Sequence, residues 1–205
     1  MVRTSLVLAL AVSLSAAPAF AADTDIDKVN GSITAEAGER YGTLSTVNGS
    51  IRIEAGAEVG DAETVNGAIR VADDAQASSL ETVNGSIRLG TGVQVGGDIE
   101  TVNGSIGLVD TDLAGSIETV NGDITVGIDS HVKGGIKVEK PDNNWFPVSF
   151  GKREPQRIVI AQGARVDGPL VFEREVKLYV HATAQIGPVT GATAVRFEGD
   201  RAPQD

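Results

Sequence analysis

The sequence predicts an all-β fold, a single-stranded parallel β-helix (β-solenoid) built from triangular coils of about 18 residues. Three observations carry the prediction. Val-Asn-Gly recurs six times, with asparagines at Asn30, Asn48, Asn66, Asn84, Asn103 and Asn121, at intervals of 18, 18, 18, 19 and 18 residues. Stepping by six from Val47 gives Ile53, Val59, Val65, Val71, Ala77, Val83, Leu89 and Val95. After a one-residue insertion near Gly97 the ladder resumes at Val102, Leu108, Ala114, Val120, Val126, Val132 and Val138. Finally, 25 glycines, few aromatics and an aliphatic content of mostly Val, Ile, Leu and Ala suit many tight turns between short strands and disfavour helix.

The elements follow in order. Residues 1–21 read as a secretory signal peptide: Arg3 gives the positive start, 5–14 a short apolar stretch, and Ala19-Phe20-Ala21 a small-residue cleavage site. This stretch is too short to span a bilayer, which takes roughly 20 residues. No transmembrane segment is expected in the mature chain. With no cysteine anywhere, lipid attachment is ruled out as well, and the expected location is periplasmic or secreted.

Residues 22–138 form the coil body. In Ser50-Ile51-Arg52-Ile53 apolar residues alternate with an outward Arg, the period-two mark of a half-buried strand, and Ala57-Glu58-Val59-Gly60 repeats it. On the third side Leu80 and Val83 are three apart, so a corner or bulge is expected there. Each Asn-Gly supplies the turn between sides, glycine accepting a left-handed conformation and asparagine bonding nearby backbone. Stacking would align the six amides into a ladder. A hairpin reading of Asn-Gly does not divide an 18-residue interval with three apolar sides into two matched strands. Asn30, Asn48, Asn84 and Asn103 fall in glycosylation sequons, but Asn66 and Asn121 keep Asn-Gly without the hydroxyl residue, so the repeat requires the corner and not the sequon.

Residues 139–156 interrupt the pattern with prolines and asparagines and carry Trp145, Phe146 and Phe150, a candidate contact loop or a flap over apolar coil surface. Coils resume at 157–197 with bulkier side chains and no Asn-Gly. The polar stretch 198–205 reads as a flexible tail.

Loss of Arg3 with the signal leaves 16 basic against 28 acidic residues, which argues against nucleic acid as a partner. Arg52, Arg70 and Arg88 would stack into one outward column, a candidate anion-binding rail, and Glu63, Glu81, Glu100 and Glu118 into another. His131, read as solvent-facing, and His181 belong to no recognisable acid–base constellation. No cofactor or metal spacing appears, and the chain is not expected to be an enzyme.

The Thr-Val-Asn-Gly-Ser-Ile units at 46–51 and 101–106 resemble uncharacterised bacterial adhesin-like β-strand repeat proteins. Ile160-Ala161-Gln162-Gly163-Ala164-Arg165-Val166-Asp167-Gly168 and Ala184-Gln185-Ile186-Gly187 resemble the bactofilins, which are polymer-forming β-helical proteins. The second resemblance implies a right-handed helix and assembly. The resulting expectation is an exported structural or interaction protein of the bacterial envelope that self-associates through its coil ends or binds an envelope protein. The alternative is a binding module for an extended envelope polysaccharide, with a β-helix enzyme the least supported reading.

Overall fold

The computed structural model describes residues 24–140 and 154–204. The signal segment and the aromatic residues Trp145, Phe146 and Phe150 lie outside the described residues. The described chain is a parallel β-solenoid of about nine turns, without helix. One face is a nine-stranded parallel sheet in which Ile33–Ala35, Ile51–Ile53, Ile69–Val71, Ile87–Leu89, Ile106–Leu108, Ile124–Val126, Gln156–Ile160, Val176–His181 and Ala194–Phe197 follow one another. The other two sides of each coil belong to a 14-stranded sheet.

The inward residues of one coil show how it closes. Ile51 and Ile53 come from the first face, Ala57 and Val59 from the second, Ala62 and Thr64 from the third, and all are buried. Ile33, Ile51, Ile69, Ile87, Ile106 and Ile124 stack in register through the core with almost no exposed surface. Fully burying such a side chain contributes about 1.5–3 kcal/mol, so this aliphatic column holds the rod together without disulfides.

The third side departs from the predicted ladder. Val47, Val65 and Val102 are exposed and Val83 and Val120 only half-buried, whereas Thr46, Thr64, Thr82, Thr101 and Thr119 are buried. Alternation does not break there: Leu80 points in, Glu81 out, Thr82 in and Val83 out. The parity set by Leu80 is stronger than the hydrophobicity difference between Val and Thr. Hydrogen bonding offsets the burial of the hydroxyls: Thr46, Thr64, Thr82 and Thr101 Oγ1 donate to the carbonyls of Gly31, Gly49, Gly67 and Gly85, at 3.1, 2.8, 3.0 and 3.3 Å. Among the described residues Thr119 Oγ1 is buried without a hydrogen-bond partner.

The second corner changes shape partway along. In Arg40–Asn48, Glu58–Asn66 and Gln76–Asn84 a single nine-residue strand bends through both sides. From the insertion at Gly97 the strand divides, as in Gln94–Val95 and Ile99–Asn103. Ala77 to Leu80 spans three positions, whereas the corresponding Val95 to Ile99, Leu113 to Ile117, Val132 to Ile136 and Val166 to Leu170 each span four.

Candidate functional site: the outward columns

The Asn-Gly corner lies between the third side and the first. Each asparagine Nδ2 donates to Oδ1 of the asparagine one coil earlier, from Asn48 to Asn30 through Asn121 to Asn103, at 3.1–3.2 Å. Among the described residues no further Asn extends the ladder beyond Asn121, and Arg174 Nη1 donates to Asn121 Oδ1 (2.7 Å) and to the Val120 carbonyl (2.9 Å), terminating it with a charged donor. At half of these corners the glycine serves the reason the sequence suggested: Gly31, Gly104 and Gly122 have positive φ, at 108°, 158° and 147°. Gly49, Gly67 and Gly85 do not have positive φ. A Cβ on any of them would overlap the carbonyl of the preceding coil's glycine, so close stacking is what excludes a side chain. Further left-handed conformations sit at the first corner, at Gly38, Gly56, Asp74, Gly92, Asp110, Asp129 and Gly163, with φ between 45° and 72°.

Three charged or polar columns run beside this spine. On the first face Arg52, Arg70 and Arg88 are in register and exposed, and the column continues as Gly107 and Thr125, then buried Val159 and Tyr179, and then exposed Val195. Arg88 Nη1 donates to Ser86 Oγ (2.9 Å), and Arg52 lies 3.9 Å from Glu54. The tail expected to be flexible runs back along this face. Arg157 Nη2 donates to the Pro203 carbonyl (2.7 Å), the same guanidinium stacks 5.0 Å over Tyr179, and Ala202 packs on Val159, Tyr179 and Phe197. Thr125, Arg157, Arg201 and Gln204 line a cleft of about 450 Å³ beneath it.

On the third side Glu63, Glu81, Glu100 and Glu118 align without interruption, and the next position is Lys137, which pairs with Glu139. Partial burial raises the Glu100 carboxyl above the ordinary carboxylate range, and the charges of Glu118, Glu81, Asp98 and Glu139 push it further the same way. Two residues earlier in each coil lies a column that sequence reading missed: Asp25, Thr43, Asp61, Ser79, Asp98 and Ser116. Thr43 N–H donates to Asp25 Oδ1 (2.7 Å), Ser79 Oγ to Asp61 Oδ1 (2.6 Å), and both Ser116 N–H and Oγ to Asp98 Oδ1 (2.7 and 2.8 Å). Acid and hydroxyl alternate, a pattern with a period of two coils that a search at 18 residues does not reveal. These columns border an open groove of about 630 Å³ lined by Asp61, Ser79, Glu81, Gly97, Asp98 and Glu100.

Both histidines make side-chain contacts. His131 is half-buried rather than simply solvent-facing: its Nε2 lies 2.8 Å from Asp167 Oδ2, and Arg165 Nε donates to the other oxygen of the same carboxylate. These hydrogen bonds, that from His131 first, hold the Asp167 carboxyl below its ordinary range. His181 is buried edge-on against Phe197, and its Nδ1 accepts from the Thr183 N–H. Among the described residues no three His, Asp or Glu side chains converge as a metal site.

The structure therefore brings the six asparagines into one hydrogen-bonded ladder at the corner and the three arginines into one column on the first face beside it. No protein-family model, no curated protein and no solved structure matches this chain.

Proposed function

We propose that the chain is an exported structural protein of the bacterial envelope, a stiff β-solenoid scaffold that self-associates through its coil ends or docks a partner protein there. The observation that supports this reading is the state of the sheet edges. Thr24–Asn30 pairs only with Arg40–Asn48, and Ile33–Ala35 only with Ile51–Ile53. At the other end Ala194–Phe197 pairs only with Val176–His181. Among the described residues each of these outer edges presents unpaired N–H and C=O groups, which template further strand pairing. The tail is directed along the first face by the Arg157–Pro203 bond, so Pro203 does not lie across the end. The bactofilin-like pattern of residues 160–168 and 184–187 points the same way. Sedimentation velocity of the protein purified from the periplasm, over a wide concentration range, tests the reading. Concentration-dependent growth in mass is expected, and a strict monomer throughout would sink it.

A second reading, a module for an extended anionic polysaccharide, is favoured by the Arg52, Arg70 and Arg88 register. Retained glycan binding after all three are replaced by Ala would dismiss it.

A further inference from the structure

We propose that the arginine and glutamate columns are the two halves of one lateral contact between copies of this chain, Arg52, Arg70 and Arg88 of one copy lying against Glu63, Glu81 and Glu100 of the next. The inference rests on the scaffold reading and adds to it a second, sideways direction of association.

The two columns share one origin and therefore one spacing. Each coil contributes one member to each: Arg52 with Glu63, Arg70 with Glu81, Arg88 with Glu100. Both therefore rise by the same interval of about 4.8 Å per coil. When one arginine of the first copy meets one glutamate of the second, the other two pairs fall into register at once. Within a single copy the columns cannot meet, because they project from different faces separated by the Asn-Gly corner. All six side chains are exposed. Among the described residues Arg70 makes no ion pair, Arg52 makes one only at 3.9 Å, and none of the four glutamates makes any. Like charges stacked at this spacing repel, and the Glu100 carboxyl, raised first by partial burial, is raised further by the charges of Glu118 and Glu81 in the same column. An opposing column of cations relieves it, and the same contact relieves the arginines. The exposed valine column, Val47, Val65 and Val102, runs directly beside the glutamates and adds apolar surface to the contact.

A polyanionic ligand would account for the arginines alone and leave the glutamates unmatched. A second copy is the one partner that carries both columns at the same pitch. The contact is heterologous, since the face used on one copy differs from the face used on the next. It therefore grows into rings or open arrays and does not stop at a dimer.

Charge reversal tests this directly. One variant carries R52E, R70E and R88E, the other E63R, E81R and E100R. Circular dichroism checks that each is folded, and an R52Q, R70Q, R88Q variant serves as a milder control. Sedimentation velocity at low salt should show species beyond the dimer for the parent protein. Each reversed variant alone should lose roughly tenfold or more in association constant. An equimolar mixture of the two should recover association, because each then offers the other an opposite column. Assembly that survives both reversals overturns the lateral contact and leaves the coil-end reading standing. Strictly monomeric parent protein overturns both. Loss in each variant without recovery in the mixture overturns the pairing of these two columns. So does a parent monomer that binds an acidic polysaccharide through the three arginines.

Discussion

Two adjacent columns on the third side meet the same problem in opposite ways. In the Asp25, Thr43, Asp61, Ser79, Asp98, Ser116 column, acids sit on alternate coils, and each carboxylate accepts a hydrogen bond from the hydroxyl-bearing residue of the next coil. Two residues further along each coil, Glu63, Glu81, Glu100 and Glu118 follow one another with nothing between them. The first column places like charges about two coil spacings apart and bonds each to its neighbour. The second places them one spacing apart, where unit charges in water repel by roughly 1 kcal/mol per pair before screening. A repeat protein can thus make a surface column cohesive by alternating it, and the column left unalternated is the one whose charges await an external partner.

The largest expected effect removes the frame on which both columns hang. Gly67→Ala puts a Cβ into the Gly49 carbonyl, and because backbone rather than a flexible side chain is in the way, the coil must separate locally. The expected loss is about 3 kcal/mol or more, the range of overpacking with a broken backbone bond, visible as a collapse of the urea midpoint. Next, Ser79→Asp converts the alternating column into a copy of the glutamate column. It removes the hydrogen bond to Asp61 and places charges beside both Asp61 and Asp98. A loss of about 1–2 kcal/mol is expected, and high salt should recover part of it; a neutral result would show that alternation does not matter. The reverse change, Glu100→Gln, takes one charge out of the middle of the uninterrupted column and should stabilise by roughly 0.5 kcal/mol, an effect that fades with added salt.

The smallest effect is in the pH dependence. The Glu100 carboxyl is raised in the folded state, so its contribution favours folding below its unfolded pKa of roughly 4.3. That contribution is lost as pH climbs through the folded value. Asp167 is lowered by its bonds to His131 and Arg165, so its contribution is present above its unfolded pKa of roughly 3.9 and is lost as pH falls through the folded value. Stability of the parent protein should therefore rise slightly on acidification toward the carboxylate range before it falls. Denaturant midpoints against pH should show that rise flattened in Glu100→Gln and the acid-side fall reduced in Asp167→Asn. Unchanged profiles in both would contradict these assignments.

Much of the architecture was legible because the solenoid writes its geometry into the period. The 18-residue interval, the insertion at Gly97 and the register of the Arg and Glu columns all follow from counting. The phase of the third side did not, since counting apolar residues selects Val65 over Thr64. Strand alternation from Ala62 and the hydrogen bond to Gly49 turn the threonine inward instead. The glycine of the corner was identified for one of its two physical reasons: positive φ at Gly31, Gly104 and Gly122 follows from the turn, whereas close stacking between coils is a property of the assembled rod and not of one turn. Asp61 and Ser79 escaped notice because their pattern spans two coils. Arg174 escaped because it reaches the Asn ladder from 53 residues away.

The corner at Gly97 carries one further consequence. A single extra residue there changes the outline of its coil, and the next three coils, at 113–117, 132–136 and 166–170, reproduce the change. Gly115, Gly134 and Gly168 follow it, each N–H bonded to the glycine carbonyl below. Each of these coils thus takes the outline of the one below, until Ile186 to Val189 spans three positions again and the earlier outline returns. A change of outline is thus carried through several coils and is undone by the loss of one residue at the same corner, so the cross-section of the rod is adjusted in both directions along its axis.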